Sequence, residues 1–163
     1  MISIRRVAPH LVALGAIFWI GTPYAAENQT GECAPDAQSR IYGQLFSSDQ
    51  DLRKRYNDLH AAHDEAQLAR LVHEILEQDA KNQAILDRVV GKCGWPQSAT
   101  FMNSNLEAAF FVIQHAPLDY MLRYRGRIEQ SHAAGEIPQF VMQLFYDRLE
   151  YRKAEQKQTV PHG

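Results

Sequence analysis

The chain has 163 residues, with 17 basic and 19 acidic side chains and a formal net charge of −2 when histidine is neutral. That balance excludes the basic footprint of a nucleic-acid-binding domain. No nucleophile elbow, phosphate loop or dinucleotide fingerprint occurs, so the common motif-bearing enzyme classes are also excluded.

Residues 1–26 read as a secretory signal peptide. Arg5 and Arg6 form a basic start, an apolar run of ten residues extends from Leu11 to Ile20, and Tyr24-Ala25-Ala26 supplies small residues for cleavage. The run is shorter than the roughly 20 residues that span a bilayer, so no stable membrane anchor is expected after cleavage. Without this segment 15 basic and 19 acidic residues remain, a net charge of −4, which describes a solvated, mildly acidic surface. Both cysteines, Cys33 and Cys93, lie beyond the cut. In an exported chain two cysteines most simply form a disulfide. The expected location is therefore periplasmic or secreted.

Residues 27–36 read as an irregular lead-in, 37–158 as one helical domain and 159–163 as a tail. Within the domain a short helix is expected over 37–46, carrying Ile41, Leu45 and Phe46. Ser47-Ser48-Asp49 offers capping oxygens to a second helix over 49–62. From Asp64 a long periodic run follows over 65–90, ended by Gly91 and the Gly94-Trp95-Pro96 turn. Asn103 or Ser104 caps a helix to about residue 116, and Pro117 marks the next boundary. A helix over 118–134 stops at Gly135, and Pro138 opens a last one to about residue 157. No stretch alternates as a strand would. The expected fold class is all-α, an irregular bundle of five to six helices with one disulfide.

Polar residues interrupt the apolar stripes. On the long helix the stripe runs through 68, 72, 75, 79, 82, 86 and 89, and two of these positions are Asp79 and Asn82. On the last helix Val141, Leu144, Arg148 and Tyr151 share a stripe, which turns Arg148 inward beside Asp147. Gln114 follows Phe110 by four and His115 follows Phe111 by four. Buried polar groups are costly unless paired, so Asp79, Asn82 and Arg148 are expected to meet, with Gln114 or His115 nearby. Two readings of that meeting stay open. It is either an interior salt bridge between Asp79 and Arg148 that sets helix register, or the lining of a wet pocket bounded by Trp95, Gln114, His115 and Arg148.

These positions carry a resemblance. Gln50 and Arg53 within Asp49-Gln50-Asp51-Leu52-Arg53, the Asp79/Asn82 pair, Gly94-Trp95-Pro96, Gln114-His115-Ala116 and Asp147-Arg148 follow one another as do the landmarks of a bacterial family of domains of unknown function, family 6624. The chain resembles that family over about residues 41–158. The family has no established activity, so the resemblance implies no reaction. Two departures matter. Cys93 stands where the family carries histidine before Gly-Trp-Pro, and the chain ends Gln156-Lys157-Gln158-Thr159-Val160 and on to Gly163 instead of in a Tyr-Gly-Thr-Gln tail. If the histidine and tail serve catalysis in relatives, this member lacks it; if they serve structure, a disulfide at Cys93 substitutes.

Other features have plainer readings. Trp95 and Pro96 suit a loop plug on the core, and His115 near a helix C-terminus suits the dipole. As a general base His115 needs a carboxylate, for which Asp147 is the candidate. His60 with His63 or Asp64 shares a helical face but has no evident third ligand, so no metal is expected. Arg123-Tyr124-Arg125-Gly126-Arg127 reads as an exposed basic face with tyrosines packed inward, not as an RNA contact. No cofactor is expected. The leading functional expectation is a binding module for a small polar ligand or a partner protein. The alternatives are a cofactor-free enzyme with His115 as acid/base and Arg148 holding an anion, or a protective inhibitor of a secreted toxin.

Overall fold

The computed structural model describes residues 31–159; the signal-peptide reading of residues 1–26 and most of the 159–163 tail lie outside them. A single 3-10 turn, Gly31–Cys33, leads into five helices: α1 (Pro35–Ala61), α2 (Glu65–Cys93), α3 (Asn105–His115), α4 (Leu118–Ala133) and α5 (Gln139–Thr159). Among the described residues there is no strand, and the fold is the expected all-α bundle.

The stop signals act where their chemistry demands. Asp64 accepts the Gln67 N–H at 3.0 Å and caps α2. Ser104 caps α3 by accepting the Glu107 N–H at 3.1 Å, while Glu107 reaches back to the Asn103 N–H at 2.6 Å. Gly94 and Gly135 hold φ values of +88° and +80°, which glycine adopts without a Cβ penalty. The long helix therefore runs through Gly91 and ends at Gly94.

One expected break is absent. Residues 37–46 and 49–62 are a single helix, because the capping oxygens at 48 and 49 have other partners. The Ser48 hydroxyl donates to the Leu45 carbonyl and to Asn82 Oδ1, and Asp49 is taken by His115. The described part of the lead-in, 31–36, is regular where an irregular segment was expected: a 3-10 turn is followed by α1 from Pro35, the proline occupying its first turn.

The central element is α3. Eight of its eleven residues are buried, as expected of a helix that is apolar on nearly all sides. It touches α1, α2, α4 and α5, while α1 also packs along α2 and α4 along α5. Phe110, Ile113, Leu86, Met121 and Phe145 meet in the core. At one end of α2, Cys33 and Cys93 are bonded, with Cα atoms 5.3 Å apart. Glu32 beside that bond pairs with Arg88 and Lys92.

Candidate functional site

The middle of α1, the middle of α2 and the C-terminal turn of α3 converge on a chain of charged groups. On α1, Tyr42, Leu45, Asp49 and Leu52 share one buried stripe at spacings of three and four, which carries Asp49 into the interior at 1% exposure. Arg53 follows one turn later. On α2 the same periodicity buries Asp79 and Asn82 between Leu71 and Leu86, as the polar positions in its stripe predict.

His115 Nδ1 lies 2.9 and 3.0 Å from the two Asp49 oxygens. Gln50 Nε2 donates to Asp49 Oδ2 at 2.6 Å. Arg53 Nη2 donates to Asp79 Oδ1 and Oδ2 at 3.0 and 2.9 Å and lies 3.5 Å from Asp49 Oδ1. The result is an alternating series, His115, Asp49, Arg53, Asp79, in which each buried carboxylate meets a cation or imidazole. Burial pushes the Asp79 carboxyl above its ordinary range; Arg53 opposes this through its hydrogen bond and charge, and the Asp49 charge adds to the rise.

Arg152, on α5, completes the surroundings. Its Nη2 donates to the His115 carbonyl at 3.2 Å and its Nη1 to Glu155 at 2.9 Å, so a cation sits at the C-terminal end of α3. Its Nε is buried without a partner. Leu76, Asp79, Ala80, Gln83, His115, Pro117 and Arg152 line a cleft of about 220 Å³. A more open basin of about 570 Å³ adjoins it, sharing Pro117 and Arg152. Asp49 occupies Nδ1 of His115 and leaves Nε2 unused by it, and His115 is among the residues that line the cleft. A buried carboxylate at one imidazole nitrogen sets the tautomer and orientation of the ring for proton transfer or ligand binding at the other.

The expected partnership of Asp79 with Arg148 does not form. Arg148 is half-buried with its guanidinium carbon 5.8 Å from the Tyr151 ring centroid, and Asp147 is exposed, accepting from Gln143 at 2.8 Å. The cause is the phase of α5. Its inward face is Val141, Met142, Phe145 and Leu149, whereas Leu144 and Tyr151 from the expected stripe are 50% and 54% exposed. Arg152, three residues after Leu149, is the arginine that this inward face delivers.

Trp95 also lies apart from the cluster. Fourteen residues of helix separate Asp79 from Cys93, about 21 Å at the usual rise. Trp95 Nε1 donates to Ser131 Oγ at 3.0 Å, and its ring stacks on Tyr124 at 5.9 Å between centroids, in the role of a loop plug. Asn82 is one turn from Asp79 but faces a neighbouring cavity and accepts from Ser48 and Gln78 at 3.0 and 2.9 Å. Gln114 is buried with its Oε1 unpartnered. Of the candidates, the structure thus joins Asp79 with His115 and separates Trp95, Asp147 and Arg148 from them.

Asp49, Arg53 and Arg152 belong to the site although the pattern argument passed over them. The signal was the same one that exposed Asp79: Leu45, Asp49 and Leu52, and Phe145, Leu149 and Arg152, each carry a charge at a stripe position. Among the described residues no group of three or more His, Cys, Asp or Glu side chains is arranged to hold a metal ion. His60 stacks on Tyr56 and Asp64 caps α2. Arg123 pairs with Asp87 at 3.1 Å over the Tyr120 ring, and Arg125 pairs with Glu129. No helix among the described residues is long and apolar enough to cross a membrane. Comparisons with protein-family models, curated proteins and solved structures return no match.

Proposed function

We propose that this chain is an exported binding domain that holds a small polar ligand in the cleft between α2, the end of α3 and α5. The observation that carries the reading is His115, held through Nδ1 by a buried Asp49 and itself one of the residues that line an open cleft. Burying the Asp49 carboxylate is costly even with Gln50 and Arg53 as further partners, and a ligand at the oriented imidazole gives that arrangement a purpose. Export to the periplasm is supported by the leader pattern of residues 1–26 and by the disulfide. Membership in domain family 6624 is part of the same proposal, on the ordered landmarks.

A thermal-stability screen against small polar molecules tests the reading, because a specific ligand raises the melting temperature by mass action. Ala80 is exposed at the cleft, so Ala80→Phe fills it without disturbing the core. A rise that persists in this variant sinks the cleft assignment. A second reading, a cofactor-free enzyme, is favoured by the same Asp49–His115 pair, which suits His115 to acid/base work. His115→Asn then abolishes turnover even at ligand concentrations that saturate the variant; under the binding reading it weakens affinity only, and no turnover exists to lose.

A further inference from the structure

The charges around the cleft divide by sign. Asp79 stands on the α2 wall, and Arg152 with His115 stands on the wall formed by α5 and the end of α3. Within the cluster each charge is nearly matched: Arg53 faces both carboxylates, and Arg152 is offset by Glu155. A site that is balanced overall but polarised across its width favours a ligand with the same property. A simple anion finds Asp79 opposite it, and a simple cation finds Arg152.

The satisfaction of the two walls points the same way. Arg53 offers only Nη2 to the two Asp79 oxygens, which leaves carboxylate lone pairs open to a second donor. Burial raises the Asp79 carboxyl despite Arg53, so a further positive group beside it is favourable. On the other wall, Arg152 gives one bond from Nη1 to Glu155 and one from Nη2 to the His115 carbonyl, which leaves a second N–H on each nitrogen, and Asp49 does not engage Nε2 of His115. The remaining surface is apolar at Leu76, Ala80 and Pro117 and polar at Gln83 beside Asp79. A volume of about 220 Å³ lies below the range usual for drug-sized ligands.

We propose that the cleft takes a small zwitterion, an α-amino acid, with its carboxylate toward Arg152 and His115 and its ammonium toward Asp79 and Gln83. This rests on the cleft reading above and narrows its ligand to one chemical class. A short aliphatic side chain fits the apolar rim at Leu76 and Pro117. The adjoining basin gives a carboxylate near Arg152 an open approach from solvent.

The test is an NMR titration of the full disulfide-bonded domain, following the His115 ring resonances. The probes are L-alanine, acetate (carboxylate only), ethylammonium (ammonium only), glycerol (neutral) and dialanine, whose two charges lie farther apart. Alanine is expected to bind at least about tenfold more tightly than acetate or ethylammonium. Asp79→Asn should remove that advantage by weakening alanine and tightening acetate, which no longer meets the carboxylate opposite it, and Arg152→Gln should reduce alanine to the level of ethylammonium. Circular dichroism confirms that each variant is folded. Dialanine binding as well as alanine indicates a peptide terminus and overturns the free amino acid. Acetate or glycerol matching alanine overturns the zwitterion but leaves a polar-ligand cleft. If none of the probes moves His115, the zwitterion is overturned, and the thermal screen decides the cleft reading separately.

Discussion

The cluster of Asp49, Arg53, Asp79 and His115 and the packing around Trp95 both bury polar atoms, but they satisfy them differently. Near Trp95 the bonds come from neutral donors: the indole N–H meets Ser131, and Asp87 accepts from the Tyr120 and Tyr124 hydroxyls at 2.9 and 2.7 Å, while the buried Tyr42 hydroxyl, which feels Tyr124, has no partner. Burial and the hydrogen bond to Asp87 push the Tyr124 hydroxyl up to about 12, so it stays a proton donor to that carboxylate. The nearby disulfide closes the region covalently. At the charged cluster the bonds are ionic, a cleft opens beside them, and Arg53 Nη1 and Arg152 Nε remain unpartnered. Packed aromatic rings, neutral hydrogen bonds and a covalent link mark the end of the bundle built for stability. Ionic bonds beside an open cleft mark the region that suits an occupant.

That contrast can be broken first at the disulfide. Replacing Cys33 and Cys93 together with serine should cost about 4 kcal/mol on the loop-entropy account of a 60-residue separation. Urea denaturation measures it. The cleft should keep its ligand affinity, and a parallel loss of binding would show that the two regions are not independent.

A smaller but more diagnostic loss is expected at the cluster. Arg53→Met leaves Asp79 buried without its cation and should cost about 3 kcal/mol, because breaking one partner of a buried pair strands the other. Adding Asp79→Leu should restore much of the loss. Arg148→Met, by contrast, should change stability by less than about 0.5 kcal/mol, since it replaces only a partly exposed side chain. Equal losses at Arg53 and Arg148 would return the pairing to the one expected from α5 periodicity.

Trp95→Phe keeps most of the ring packing and removes the bond to Ser131, for a loss of about 1 kcal/mol in the same denaturation assay. A loss several times larger would mean that the indole N–H holds more than this loop.

The smallest effect is a change of slope with pH. The folded Asp79 carboxyl is raised above its ordinary value, so between those two values the folded state binds more protons than the unfolded one. Stability from this group therefore falls as pH rises through the ordinary carboxylate range to the raised value, and returns on acidification. Asp79→Asn should flatten that segment of the stability–pH curve. A curve steeper in the same direction would contradict the assignment.

Much of the architecture was legible along the chain because its signals are local. Asp64, Ser104, Gly135 and the paired cysteines act within a few residues or through chemistry that needs no phase. The burial of Asp79 was legible too, because Leu68, Asn82, Leu86 and Val89 of the expected α2 stripe are buried with it, although Val72 of that stripe is exposed. At Ser48 and Asp49 a local signal misled: capping oxygens mark a helix start only if no distant group claims them, and here Asn82 and His115 do.

By itself the sequence determined the helical class, most helix ends from Asp64 onward, the disulfide and the presence of buried charge. Tertiary structure alone decided which charges meet. Helix α5 carries apolar residues on two faces, Phe140, Leu144 and Tyr151 outward and Val141, Met142, Phe145 and Leu149 inward, so periodicity cannot choose between them. Only the shape of the surface offered by α3 and α4 selects the inward set, and with it Arg152 instead of Arg148. The partner of Asp79 was likewise chosen by the crossing of α1 over α2, which brings Arg53 across 26 residues of sequence. Such a contact depends on helix rotation and crossing, and neither is written in the residues nearby.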